Sequence, residues 1–167
     1  MSENYIVING KKAELTEEQL AMLGLNAGAK RANPFERVAK GGVYFFVDLF
    51  GYVSSCPEVG DLADADLFDH CNYFNDKALA TQVALHQLLY RKLLKFAYDN
   101  EVEDTAGWDE GDMHWAIRYV EKRGTFTACW ENKYKAQEVY FSSADSARSA
   151  IKEVVEPFIK EHPEFVW

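Results

Sequence analysis

The chain has 167 residues, a formal net charge of −9 at neutral pH and 48% hydrophobic residues. This length predicts one compact domain with a substantial core, and the apolar content excludes a wholly disordered chain. No apolar run approaches the roughly 18 residues that a membrane-spanning helix needs, and the polar, acidic start lacks the pattern of a signal peptide. Three cysteines at irregular spacing fit a reducing compartment, so we expect a cytoplasmic protein.

Residues 1–32 are predicted to form a small N-terminal unit. Its elements are a strand at 5–8, a turn at Asn9-Gly10, a strand at 11–15, a short helix that begins at Thr16, and a linker at 26–32. Asn-Gly is typical of a type I′ hairpin turn. Thr16, with Gln19 three residues later, forms the pattern of a capping box.

The main body, residues 33–167, is predicted to begin with one half at about 33–100. The elements of this half are a strand at 43–47, a turn at 49–51, a strand at 52–53, an acidic loop, and a helix from Asn75 or Asp76 to about Tyr98. The first strand is rich in Val, Tyr and Phe, which are common in strands. Apolar residues in the helical segment step mostly by three or four positions, which predicts an amphipathic helix.

The second half, about residues 108–167, is predicted to repeat this order. Its elements are strands at 115–120, 125–130 and 138–141, with Gly124 in the first connection, and a helix that begins at Ser142 or Ser143. Pro157 has no N–H to donate inside that helix. We therefore expect a kink or a new turn there.

Residues 72–80 align with residues 139–147 at an offset of 67 positions. Each segment has aromatic residues, a polar cap pair and the start of a helix. We predict an α+β fold in which two duplicated β-β-β-α units share one antiparallel sheet and pack their helices on one face. The alternative is that strand, cap and helix recur by chance because their chemistry is generic.

The negative charge is concentrated in two segments, 58–76 and 99–112, which hold 13 of the 27 acidic residues and no Lys or Arg. The other 134 residues have a net charge of +4. Such segregation affects partner choice and association rate, although acidic loops can also simply favour solubility. The acids predicted to contact a partner are Asp61, Asp64, Asp66, Asp69, Glu101, Glu103, Asp104, Asp109, Glu110 and Asp112.

Between the two acidic segments lies a basic stretch of the predicted long helix. Arg91, Lys92 and Lys95 could contact phosphates, which gives an alternative nucleic-acid face. The sequence pI of 4.9 argues against non-specific nucleic-acid binding, but not against a local basic face.

The sequence contains no pattern that predicts catalysis or a cofactor. It lacks a glycine-rich phosphate loop, a nucleophile elbow, and a Cys-x-x-Cys or His-x-x-x-His pair that would hold zinc. We therefore predict no catalytic residue, no cofactor and no metal. The alternating acids Asp64, Asp66 and Asp69 leave a weak Ca²⁺ or Mg²⁺ site open.

Five blocks of the chain form a recognisable set: the segment 8–20, Asn-Pro-Phe-Glu-Arg-Val at 33–38, Gly-Val-Tyr-Phe-Phe at 42–46, Trp-Asp-Glu-Gly at 108–111 and Val-Tyr-Phe-Ser-Ser at 139–143. Through these blocks the chain resembles small acidic proteins encoded in prophages of gut Firmicutes. The resemblance carries over no functional residue. It implies a non-enzymatic phage protein that binds and inhibits a host defence protein, such as a CRISPR nuclease or its guide-loaded complex. The alternative is a nucleic-acid-binding factor of phage replication or recombination.

Overall fold

The computed structural model describes residues 5–8, 11–14, 16, 33–100 and 111–167. The described strands are β1 (Tyr5–Ile8), β2 (Lys11–Glu14), β3 (Val43–Val47), β4 (Val53–Pro57), β5 (His114–Val120) and β6 (Thr125–Glu131). The helices are α1 (Leu62–Asp69), α2 (Lys77–Asp99), α3 (Ala144–Ala150) and α4 (Glu156–Glu161), with a π-helical turn (Ile151–Val155) between the last two. The fold is therefore α+β. The predicted Asn9-Gly10 turn, the N-terminal helix and the linker lie outside the described residues.

The described strands form three separate two-stranded antiparallel sheets, so the prediction of one shared sheet is wrong for them. β1 pairs with β2, β3 with β4, and β5 with β6. The physical reason is the position of α2. It contacts β3 and β4, and it also contacts α3 and the π-helical turn, so a helix rather than a common sheet joins the two halves.

Each of the two larger hairpins gains one further backbone bridge instead of a third strand. Phe74 exchanges two hydrogen bonds of 2.8 Å with Phe45 of β3, and Phe141 bridges Trp115 of β5 with distances of 2.7 and 3.1 Å. The predicted strand at 138–141 is therefore reduced to a single residue pair. The helices α2 and α3 begin three residues after these bridges. The chain therefore pairs with each hairpin through one residue only before it becomes helical.

The first acidic segment was expected to be a loop, and the structure corrects this, because it contains the helix α1. Asp61 is the N-cap, and its side chain accepts a hydrogen bond of 3.0 Å from the Asp64 N–H. The Asp64 carboxylate accepts in return from the Asp61 N–H, which completes a capping box. Two acids three positions apart thus satisfy N–H groups that the first helical turn leaves unpaired.

The predicted long helix is confirmed as α2, with Asp76 as its N-cap. On one side it buries leucines in the main hydrophobic cluster, together with Phe141 and Phe158 of the second half. Pro157 is the second residue of α4, and the π-helical turn before α4 widens the helix where the proline ring would meet the preceding turn. The core therefore lies between α2 and the second hairpin with its helices.

Candidate functional site

Asp64, one of the acids predicted to contact a partner, is buried with 2% of its surface exposed. Its carboxylate accepts hydrogen bonds from the Tyr44 hydroxyl (2.7 Å) and from the N–H groups of Val59 (2.8 Å) and Gly60 (2.7 Å). The bond from Tyr44 is the largest of the effects that hold the pKa of the Asp64 carboxyl far below its usual range. Asp64 therefore stabilises the fold. The prediction that it contacts a partner is corrected, because its carboxylate lies inside the protein.

A second buried acid, Glu58, lies next to this site. It accepts from Nε and Nη2 of Arg37 at 2.9 and 3.0 Å, and from the Tyr73 hydroxyl at 2.9 Å. The Arg37 hydrogen bond and then that of Tyr73 lower the pKa of Glu58 against the opposing effect of burial. The rings of Tyr44 and Tyr73 stack with centroids 4.0 Å apart, so the two acid sites form one polar cluster inside the first half.

Sequence reasoning missed Arg37, Tyr44 and Tyr73 as members of this cluster. A signal for it was present, because a tyrosine in a buried strand needs a partner for its hydroxyl, and the neighbouring segment is rich in acids. What the pattern could not indicate is which acids turn inward.

The remaining predicted acids fall into two groups. Asp61, Asp66, Asp69 and Asp112 are exposed, and the first three lie together along α1. The others, Glu101, Glu103, Asp104, Asp109 and Glu110, lie outside the described residues. The described part of the predicted acidic surface is thus the outer side of α1 together with Asp112.

A cluster of exposed apolar side chains at the end of the β3–β4 hairpin was not predicted as a site. We call Leu49, Phe50 and Tyr52 the hairpin tip; their exposed fractions are 101%, 84% and 72%. The sequence signal was large apolar residues in a predicted turn, where polar residues are the norm. Large exposed side chains of this kind are typical of binding surfaces rather than of ordinary turns.

Hydrogen bonds to Asp48 hold the backbone of the hairpin tip in place. One carboxylate oxygen accepts from the N–H groups of Phe50 (2.9 Å) and Tyr52 (3.0 Å), and the other accepts from the Ser54 hydroxyl (3.1 Å). The Tyr52 hydrogen bond is the largest cause that lowers the pKa of Asp48. Gly51 has φ of +87°, which favours glycine. The turn is therefore ordered by its own residues, and its apolar side chains remain in solvent.

The hairpin tip lies beside the C-terminal end of α1. A cleft of about 560 Å³ between them is lined by Leu49 and Phe50 on one side and by His70 and Cys71 on the other. Asp69 directly precedes His70 and is exposed. The apolar tip and the acidic side of α1 therefore belong to one region of the surface.

The predicted nucleic-acid face is exposed on α2, but its three bases differ in their surroundings. Lys95 forms an ion pair with Asp99 one turn along the helix. Arg91 borders the cleft at the hairpin tip, with its Nη2 3.0 Å from where a side chain at Gly51 would begin. Within the described residues, Arg91 and Lys92 have no ion-pair partner.

Among the residues that the structure describes, no three His, Cys, Asp or Glu side chains are grouped so that they could hold a metal ion. No helix in that part of the chain is both long and apolar enough to cross a bilayer.

No family model, curated protein or solved structure matches the chain. Its function is therefore inferred from the residues and their geometry.

Proposed function

We propose that the chain is a non-catalytic phage accessory protein that acts in the cytoplasm of the bacterial host. It binds and inhibits a host defence protein, and a CRISPR effector nuclease is the leading candidate. The observation that carries the proposal is the hairpin tip, where Leu49 and Phe50 are almost wholly exposed on a turn fixed by Asp48. Aromatic and apolar anchors on an ordered backbone bind tightly because little conformational entropy is lost on binding.

The charges around the hairpin tip favour a partner with a basic surface. Asp61, Asp66 and Asp69 are exposed on α1, whose C-terminal end borders the tip cleft. Proteins that bind nucleic acid neutralise phosphates with Lys and Arg, so a nuclease groove presents the complementary charge. Complementary charge accelerates encounter, and the apolar tip would then supply contact area.

The double variant Leu49→Ser/Phe50→Ser is expected to raise the concentration needed for inhibition about 100-fold, because two anchor side chains are lost at the centre of the contact. Inhibition is measured as residual DNA cleavage by guide-loaded nucleases from Firmicutes, titrated with the purified protein. The matched control is Tyr134→Ser/Val166→Ser, which removes two exposed apolar side chains elsewhere. Equal inhibition by both double variants would exclude the hairpin tip as the surface that contacts the nuclease.

The acidic side of α1 is tested by Asp61→Asn/Asp66→Asn/Asp69→Asn, in which the asparagine introduced at position 61 is still a good N-cap. We expect about a tenfold loss of inhibition at low salt and a smaller loss at high salt, because steering by surface charge is screened. The triple variant Glu121→Gln/Glu153→Gln/Glu156→Gln makes the same change in net charge at exposed positions away from α1. A loss that does not depend on salt, or that the control reproduces, would contradict the role of these acids.

The alternative function, nucleic-acid binding in phage replication or recombination, is supported only by the exposed bases on α2. The same protein is therefore tested in gel shifts with single- and double-stranded DNA and RNA at two salt concentrations. A shift that Arg91→Gln/Lys92→Gln abolishes would favour the alternative over the inhibitor.

We also propose that the two halves of the main body are a duplication. Phe74 and Phe141, 67 positions apart, each bridge the first strand of a hairpin. The preceding tyrosines accept backbone N–H groups on their hydroxyls: Val38 donates to Tyr73 at 3.2 Å, and Ala136 donates to Tyr140 at 2.8 Å. One Tyr-Phe pair before an N-capped helix in each half supports a common origin.

A further inference from the structure

A second cleft lies where α2 faces the second half of the main body, and it shares Gln87 and Arg91 with the cleft at the hairpin tip. We call it the α2 cleft; its volume is about 570 Å³. Its walls include Leu89 of α2, Ile117 of β5, Val139, and the aromatic residues Phe165 and Trp167 near the end of the chain. Small-molecule sites commonly have this size and a largely apolar lining.

The wall formed by the end of the chain is fixed in place. The side-chain amide of Gln82 donates to the carbonyl of Glu164 at 2.7 Å, and its oxygen accepts from the N–H of Val166 at 3.0 Å. Phe165 packs edge-on against His86 with centroids 4.7 Å apart. The α2 cleft is therefore preformed, so a ligand would not have to order this wall.

The charges on the rim of the α2 cleft are unequal. Glu138 lies on the rim, but its carboxylate forms a two-pronged ion pair with Arg118, which offsets its charge. Arg91 also lines the cleft, and it has no ion-pair partner among the described residues. Gln87 and Tyr90 lie beside it and can donate hydrogen bonds. The rim thus carries an unbalanced positive charge above an apolar interior.

We propose that the α2 cleft binds a small organic anion with an apolar body, such as an aromatic sulfonate or a medium-chain carboxylate. The apolar part lies against Leu89, Ile117 and Phe165, and the anionic group lies at the end of the cleft where Arg91 can donate to its oxygens. This site goes beyond the inhibitor function, because its apolar walls include no residue of the hairpin tip or of α1.

The test uses two fluorescent probes with the same apolar body. These are the anion 8-anilinonaphthalene-1-sulfonate and the neutral N-phenyl-1-naphthylamine. Arg91→Gln is expected to weaken binding of the anion about tenfold and to leave the neutral probe unchanged, because only the anion forms a charge-assisted hydrogen bond. Lys92→Gln is the matched control, since it removes the same charge from the next residue, which does not line the cleft. Equal effects of the two variants would overturn the proposal.

The location of the probe is tested separately from its charge. Val139→Trp should fill the α2 cleft and abolish binding of both probes, whereas Phe50→Ser at the hairpin tip should leave it unchanged. The reverse pattern would place the probe at the tip and overturn the assignment. Since a tryptophan at position 139 can disturb folding, the unchanged protein is also titrated with decanoate and decanol. Displacement of the anionic probe by decanoate alone supports the proposal, and equal displacement by both contradicts it.

Discussion

Replacement of Asp64 by asparagine is expected to lower the melting temperature by about 10 °C or more, since disruption of a buried hydrogen-bond network is among the most destabilising changes. The Asp64 carboxylate accepts from the Tyr44 hydroxyl and from the N–H groups of Val59 and Gly60. An asparagine amide has the same shape, but its NH₂ group would face one of these donors. The change therefore leaves at least one buried donor without an acceptor, and thermal denaturation followed by circular dichroism measures the loss.

The matched control is Asp66→Asn on the same helix, where the carboxylate is exposed and the melting temperature should change by no more than about 2 °C. The pKa of Asp64 is lowered in the folded protein, so its contribution is present above the unfolded pKa of about 4 and is lost as the pH falls further. The difference between the wild type and Asp64→Asn should therefore shrink between pH 6 and about pH 3. A difference that grows on acidification, or equal effects of the two variants, would refute the structural role of Asp64.

The sequence contained enough information to predict the elements whose signals are local. The start of α2 at Asp76 depends on a side chain that caps the N–H groups of Ala78 and Leu79. Its length follows from the spacing of apolar residues. The strands β3, β5 and β6 follow from β-branched and aromatic runs in the same way.

The features that the sequence could not indicate depend on contacts between distant segments. α1 begins at a capping box, which is a local signal, but Asp64 also depends on Tyr44, 20 positions earlier. Whether an acid turns inward or outward therefore depends on a strand that the segment itself does not contain. The same holds for the two hairpins, since strand patterns alone cannot show that α2 separates them.

The hairpin tip is the opposite case, because a local signal is sufficient to indicate it. A turn was predicted at residues 49–51, and β3 and β4 are joined there. Turns lie at the surface, so Leu49 and Phe50 had to be exposed. Apolar side chains in a predicted turn therefore indicate an exposed apolar surface, whereas acids in a predicted loop leave their exposure open, as the buried Asp64 shows.

Phe141→Ala is expected to reduce the free energy of unfolding by about 3–5 kcal/mol, the usual cost of a large cavity in a packed core. Phe141 is 1% exposed and belongs to the cluster formed by α2, β5, α3, α4 and Phe165. Urea denaturation measures the change. Leu49→Ala, at a fully exposed position, is the control and should change the free energy by about 0.5 kcal/mol at most.

A corresponding variant in the first half, Phe74→Ala, tests whether the two halves unfold as one unit. All four tryptophans lie in the second half of the chain, whereas far-ultraviolet circular dichroism is dominated by the long helix α2. Phe74 is 2% exposed in the first half, so Phe74→Ala removes packing far from most of the tryptophans in sequence. Because α2 contacts elements of both halves, Phe74→Ala should lower the midpoints of tryptophan fluorescence and circular dichroism together. If fluorescence keeps its midpoint while circular dichroism shifts, the halves unfold independently, and α2 does not couple them.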